Sequence, residues 1–264
     1  MDLLIKGKLA LVTGSSAGIG FAIAEGLARE NATVIVNGRS EARVTKAADL
    51  IRERMPQAKV ETFAGDLSTS EGCETLTSRY PDLDILINNL GIFNPQPFEE
   101  ISDDEWRRFF EVNVLSGVRL SRHYLPRMKK KDWGRIVFIS SESALQIPVE
   151  MIHYGFTKTA QLAISRGLAE TTVGTGVTVN SVLPGPTASE GVTDFVAKLA
   201  SQSKQTASEF EKFFFEKVRP SSLLKRFETP DEIANLVLFI CSPLASATNG
   251  AALRVDGGVL RSIV

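Results

Sequence analysis

Cysteine and histidine are scarce in this chain: it has two of each, Cys73 and Cys241, His123 and His153. Two cysteines build neither a disulfide framework nor a cysteine metal centre. Two histidines leave little for a histidine-rich metal site or a Ser-His-Asp triad, so no metal is expected. His123 reads as an ordinary polar residue along a helix, and His153 as a solvated or packing residue beside Tyr154. No apolar run reaches the roughly 20 residues that span a bilayer. A formal net charge of −1 gives no electrostatic basis for binding nucleic acid or an anionic membrane. The opening MDLLIKGKLALVTG lacks a cleavable signal pattern, which predicts a reducing, cytoplasmic setting. No repeat, low-complexity tract or long linker divides the 264 residues, so one domain over 1–264 is expected. The short KKK at 129–131 fits a solvated helix end, where cations are favourable.

Short apolar runs are present in number, and they alternate with helix-length segments. Leu9–Thr13, Val34–Asn37, Val60–Phe63, Ile85–Asn88, Arg135–Ser140, Thr178–Leu183 and Ala252–Val255 read as strands. Their near-continuous apolar character suits strands covered on both faces. Between them, Ile19–Glu30, Glu41–Arg54, Asp104–Lys130, Ile152–Val173 and Pro230–Ser242 read as helices. The alternation predicts an α/β fold of Rossmann type: a doubly wound parallel sheet between two helix layers.

The first strand runs into TGSSAGIG, Thr13 to Gly20, and then directly into a helix. Gly14, Gly18 and Gly20 permit a tight turn and close backbone approach, with Ser16 and Ile19 in the same turn. The helix N-terminus that follows offers free N–H groups and a positive dipole end to a phosphate. At the end of the second strand, VIVNGRS places Gly38 where a NAD site usually carries an acid, followed by Arg39 and Ser40. A guanidinium there grips a 2′-phosphate, which predicts NADP(H) as the preferred cofactor, with NAD possible.

In YGFTK, Tyr154 and Lys158 stand one helical turn apart on the same face. An ammonium beside a phenol favours the phenolate and lowers its pKa from about 10. Ser141, thirteen residues earlier, stands at the carboxyl end of the strand RIVFISS, where open α/β sheets place their ligands. Glu142 follows it as a candidate pocket residue, either bonding a polar substrate group or facing solvent.

These motifs in their order resemble the short-chain dehydrogenase/reductase family, from about Lys8 to Gly258. The resemblance rests on TGSSAGIG at 13–20, GDL at 65–67, NNLG at 88–91, Asn113, Ser141, YGFTK at 154–158, PG at 184–185 and VDGG at 255–258. It implies a seven-stranded parallel sheet in a three-layer α/β/α arrangement. Asp66 and Leu67 are then expected at the adenine, and Asn88 and Gly91 in a turn over the cofactor. Leu90 replaces the family's alanine, and must either enter the substrate pocket or crowd the turn. Pro184 and Gly185 are expected beside the nicotinamide, with Thr187 and Ser189 as further candidates. The implied catalytic set is Asn113 holding a relay water, Ser141 orienting a carbonyl, Tyr154 as acid or base, and Lys158 binding the ribose. Family members are commonly tetramers, so a homotetramer or homodimer is implied.

The implied activity is NADP(H)-dependent hydride transfer between a nicotinamide and a carbonyl or secondary alcohol on a small molecule. A 3-oxoacyl-thioester reductase, a sugar or polyol dehydrogenase and a steroid- or xenobiotic-type reductase all fit. An NADP(H)-binding regulatory protein without turnover is the alternative from another class, and a proton donor at Tyr154 argues against it. Substrate choice is expected in a loop or lid over about 186–226, where SEFEKFFFEKV reads as an amphipathic helix with Phe210, Phe213, Phe214 and Val218 on one side.

Overall fold

The computed structural model describes residues 1–189 and 206–263. Residues 190–205, part of the loop expected over 186–226, lie outside them. Seven strands form one sheet: β1 (Leu9–Val12), β2 (Thr33–Gly38), β3 (Lys59–Ala64), β4 (Ile85–Asn88), β5 (Gly134–Ile139), β6 (Val177–Pro184) and β7 (Ala252–Val255). All pairings are parallel, in the order β3-β2-β1-β4-β5-β6-β7. The chain winds outward from β1 to β3, then returns to β4 on the other side of β1. That reversal opens a crevice at the carboxyl ends of β1 and β4, where such sheets take their ligands.

The two-residue period of each strand sorts its side chains between two cores. Ala10, Val12, Val34, Val36, Ile85 and Ile87 pack on one face with helices α1 (Gly18–Arg29) and α2 (Glu41–Arg54). Leu11, Ile35, Leu86, Ile136 and Phe138 face the opposite core, with α3 (Ser70–Arg79) and α5 (Ser116–Lys130). The inner strands β1, β2, β4, β5 and β6 are buried on both sides, which is why their sequences read as continuous apolar runs, whereas the edge strands β3 and β7 carry exposed residues.

The helix expected over Asp104–Lys130 is three pieces on one path. A first helix, α4 (Asp103–Phe110), passes through a π turn at Glu111–Leu115 into α5. A π turn admits one extra residue per turn, and Asn113 sits in it. Helix α6 (Ile152–Glu170) carries Tyr154 and Lys158. A further helix, α7 (Ala207–Phe213), runs into a second π turn at Phe214–Val218. That turn changes which phenylalanines are covered: Phe210 and Phe215 are buried, whereas Phe213 is exposed. Leu90 enters neither the pocket nor a clash. It packs against the second core, its Cδ1 at ordinary contact distance from the position of a Cβ on Gly14. Among the described residues no helix is long and apolar enough to cross a membrane.

Candidate active site

The glycine turn is braced from two sides. Asn37, at the end of β2, accepts from Gly14 N through Oδ1 and donates through Nδ2 to the carbonyls of Phe63 and Gly65. One side chain thus ties the ends of β1, β2 and β3. On the other side, Thr13 Oγ1 accepts from the backbone N–H groups of Asn89 and Leu90, while Asn89 Nδ2 donates to the carbonyls of Thr13 and Gly14. A Cβ on Gly20 would stand 2.5 Å from Asn89 Nδ2 and 2.6 Å from Gly14 O, so only glycine lets the turn close. Gly14 and Gly18 both take positive φ.

Helix α1 starts at Gly18 with no side chain capping it, since Ala17 occupies the cap position. By contrast, α2, α3 and α4 are capped by Ser40, Thr69 and Ser102. The first N–H groups of α1 are left to meet an anion. At the end of β2, Arg39 and Ser40 are exposed, with Ser40 Oγ accepting from Arg43 N. A Cβ on Gly38 would lie 3.2 Å from Ser16 Oγ and 3.0 Å from Val44 Cγ2. An acidic side chain at Gly38 therefore has no ready room, and the arginine beside it does. Turn, uncapped helix and Arg39 fit a phosphorylated dinucleotide.

Beyond this crevice, a cavity of about 980 Å³ gathers Ile19, Asn89, Gly91, Ser141, Tyr154, Lys158, Pro184, Gly185, Thr187 and Ser189 on its wall. Four expected residues lie off this wall. Leu67 is buried in the second core and Asn88 donates to Ser121 Oγ, both away from the cavity. The Asp66 carboxylate accepts from Ser68 N and Oγ at the end of β3. Asn113 lies behind the cavity wall: its Nδ2 donates to Ile92 O and Thr157 Oγ1, and its carbonyl accepts from Gln161 Nε2.

Lys158 is buried, its Nζ donating to Ile139 O at 2.9 Å and standing 5.5 Å from the Tyr154 ring centre. Burial pushes its pKa down to about 8. Burial also holds the Tyr154 phenol above its ordinary value, and the Glu142 carboxylate adds to that. The Ser141 hydroxyl and the Arg219 charge pull the other way. The lowering expected from Lys158 is absent in the chain alone, because Lys158 is itself desolvated and turned onto a backbone carbonyl. A phenol so placed keeps its proton at neutral pH.

Glu142 is buried and does not face solvent. Its Oε2 accepts from Ser141 Oγ at 2.5 Å, and its Oε1 from Arg219 Nε at 3.1 Å. Arg219 Nη1 reaches Glu150 at 3.4 Å. Sequence reading missed Arg219, Glu150, Asn37 and Gln161. Asn37 alone left a trace, as a polar residue ending an apolar run. Arg219 and Glu142 lie 77 positions apart and share no local pattern.

Residues 8–200 match the family model described as short chain dehydrogenase. The chain is 52% identical to an uncharacterized oxidoreductase of Bacillus subtilis, with all of both chains covered. It is 34% identical to a 3-oxoacyl-[acyl-carrier-protein] reductase of Aquifex aeolicus, over 98% of this chain and 100% of that one. Among solved structures, L-sorbose reductase from Gluconobacter frateurii, complexed with NADPH and L-sorbose, superposes with a TM-score of 0.93. It shares 32% identity, with both chains covered in full. By sequence match and by fold, the chain belongs to the short-chain dehydrogenase family and is an oxidoreductase.

Proposed function

We propose that the chain, acting as one catalytic domain, is an NADPH-dependent reductase of small-molecule ketones or aldehydes. The observation that carries this reading is the meeting of Ser141, Tyr154 and Lys158 on one cavity wall, beside Gly91, Pro184 and Gly185. When bound, the nicotinamide supplies the hydride. Ser141 Oγ holds the substrate carbonyl oxygen and stabilises its developing charge. Tyr154 Oη donates the proton that this oxygen takes, and its raised pKa keeps that proton in place until then. Lys158 Nζ, set near 8 by burial, binds the nicotinamide ribose. Asn113 acts from behind, holding the loop at Ile92 and a relay water. Gly14, Ser16, Gly18, Ile19 and Gly20 hold the pyrophosphate side, Asp66 the adenine, and Arg39 and Ser40 the 2′-phosphate.

Preference for NADPH over NADH is supported by Arg39, by the crowding at Gly38, and by the NADPH in the sorbose reductase structure. Two substrate classes have a relative in their favour: sugars through L-sorbose reductase, and acyl thioesters through the Aquifex enzyme. A cytoplasmic homotetramer or homodimer is the proposed form. Its support is the exposed stack of Phe110 and Phe156, with ring centres 6.5 Å apart on α4 and α6. Sedimentation tests the assembly.

The deciding experiment follows NADPH oxidation over a panel of ketones, sugars and acyl thioesters, with the Tyr154→Phe variant in parallel. Turnover is expected to vanish in the variant while NADPH binding persists. Wild-type rates in Tyr154→Phe on the best substrate would refute the mechanism. NADPH binding with no turnover on any carbonyl would favour the regulatory alternative.

A further inference from the structure

The carboxylate next to Ser141 has its two oxygens in different circumstances. Oε2 is full: it accepts from Ser141 Oγ at 2.5 Å, Ser143 N at 2.8 Å and Ser143 Oγ at 3.0 Å. Among the described residues Oε1 accepts from Arg219 Nε alone, and it retains acceptor capacity. Arg219 is buried too. Its Nη1 donates to Glu150 Oε1 and Val218 O, while Nη2 donates to no described residue. Both side chains line the cavity, so an acceptor and a donor stand side by side on its wall.

We infer that Glu142 and Arg219 form a clamp for a substrate hydroxyl, so that this enzyme selects neutral hydroxy-ketones and hydroxy-aldehydes. The inference rests on the carbonyl-reductase reading above. A hydroxyl is one donor and an acceptor, which matches Glu142 Oε1 beside Arg219 Nη2. Glu142 Oε2 meanwhile fixes Ser141, the group that meets the carbonyl oxygen. Carbonyl and hydroxyl are thus registered about one carboxylate width apart, as on neighbouring carbons or with one carbon between. When Ser141 turns its O–H toward the carbonyl, the two Ser143 donors keep Oε2 satisfied.

Other substrates meet this wall poorly. An anionic group at this point would face the carboxylates of Glu142 and Glu150, which already share the Arg219 guanidinium between them. An acyl chain would cover two charged groups and give them no new partner, which is costly in a buried site. A site built to hydrogen-bond a hydroxyl discriminates strongly against the analogue that lacks it.

The test compares kcat/KM for 2-butanone, 1-hydroxy-2-butanone, 4-hydroxy-2-butanone and an acetoacetyl thioester, each with saturating NADPH. Wild type should favour at least one hydroxylated ketone over 2-butanone by about 10- to 100-fold. Glu142→Leu and Arg219→Met should each bring that ratio close to 1, while Glu142→Gln, which still accepts a hydrogen bond, keeps most of it. Should Glu142→Leu fail to fold, the wild-type and Arg219→Met ratios decide. Equal wild-type rates on hydroxylated and plain ketones, a preference for the thioester, or ratios untouched by Arg219→Met would overturn the clamp. None of those outcomes touches the reductase reading, which falls only if no carbonyl is reduced or Tyr154→Phe stays active.

Discussion

Asn113 brackets the backbone of Ile92: its Oδ1 accepts from Ile92 N at 2.8 Å and its Nδ2 donates to Ile92 O at 3.0 Å. The π turn at Glu111–Leu115 presents this side chain, and the bracket fixes the loop that leaves β4 along the cavity. Asn113→Ala would remove the partner of both Ile92 groups, while Thr157 Oγ1 keeps its bond to the Tyr154 carbonyl. A loss of about 1–3 kcal/mol is expected, since unpaired buried polar groups cost that much each. Urea unfolding measures it, and an unchanged midpoint would show the bracket to be dispensable.

Cofactor choice turns on one charge. Arg39→Ala should raise the NADPH dissociation constant by about 10- to 100-fold, the worth of a charge-assisted contact. NADH affinity should stay within about twofold. Fluorescence titration with both nucleotides reads the difference directly. Parallel losses for the two would place Arg39 outside the 2′-phosphate site.

His153 is buried against Phe109, and neither of its ring nitrogens has a hydrogen-bond partner among the described residues. Burial lowers its pKa. The unfolded chain therefore takes up a proton near pH 6.5 that the folded chain refuses, and stability is lost as the pH falls through that value. His153→Leu, close in volume, removes both the unpaired ring and the titration. The variant should be at least as stable as wild type at pH 7 and gain relative to it at pH 5. Thermal melts at the two values test this, and a lower melting point at pH 5 would contradict it.

The inner strands and the glycine turn were legible in the sequence because burial on both faces writes a continuous apolar run and a tight turn demands glycine. Helix α3 left a weaker mark, since only Cys73 and Leu76 of its ten residues are buried. The two π turns left none. One extra residue in a turn changes which side chains face the core without changing composition, so Phe215 rather than Phe213 is covered. Ser141, Tyr154 and Lys158 were legible through spacing within one family pattern. Arg219 was not, because the fold alone brings it to Glu142.

Glu228 supplies the last expectation. Its Oε2 accepts from Gly185 N at 3.1 Å, while its Oε1 is buried without a partner among the described residues. Burial raises this carboxyl to about 8, with Asp256 nearby adding to the effect. In the unfolded chain it ionises near 4.3. Between those values the folded state binds the extra proton, so stability falls as the pH rises from about 4.3 to about 8 and then levels off. Lys158 acts in a different window: its folded value near 8 lies below the unfolded one, so it restores stability above pH 8. Glu228→Gln keeps an acceptor for Gly185 N and cannot ionise. Urea midpoints from pH 5 to pH 8 should therefore decline more steeply in wild type than in Glu228→Gln. Parallel slopes would mean that the carboxyl ionises normally in the folded protein.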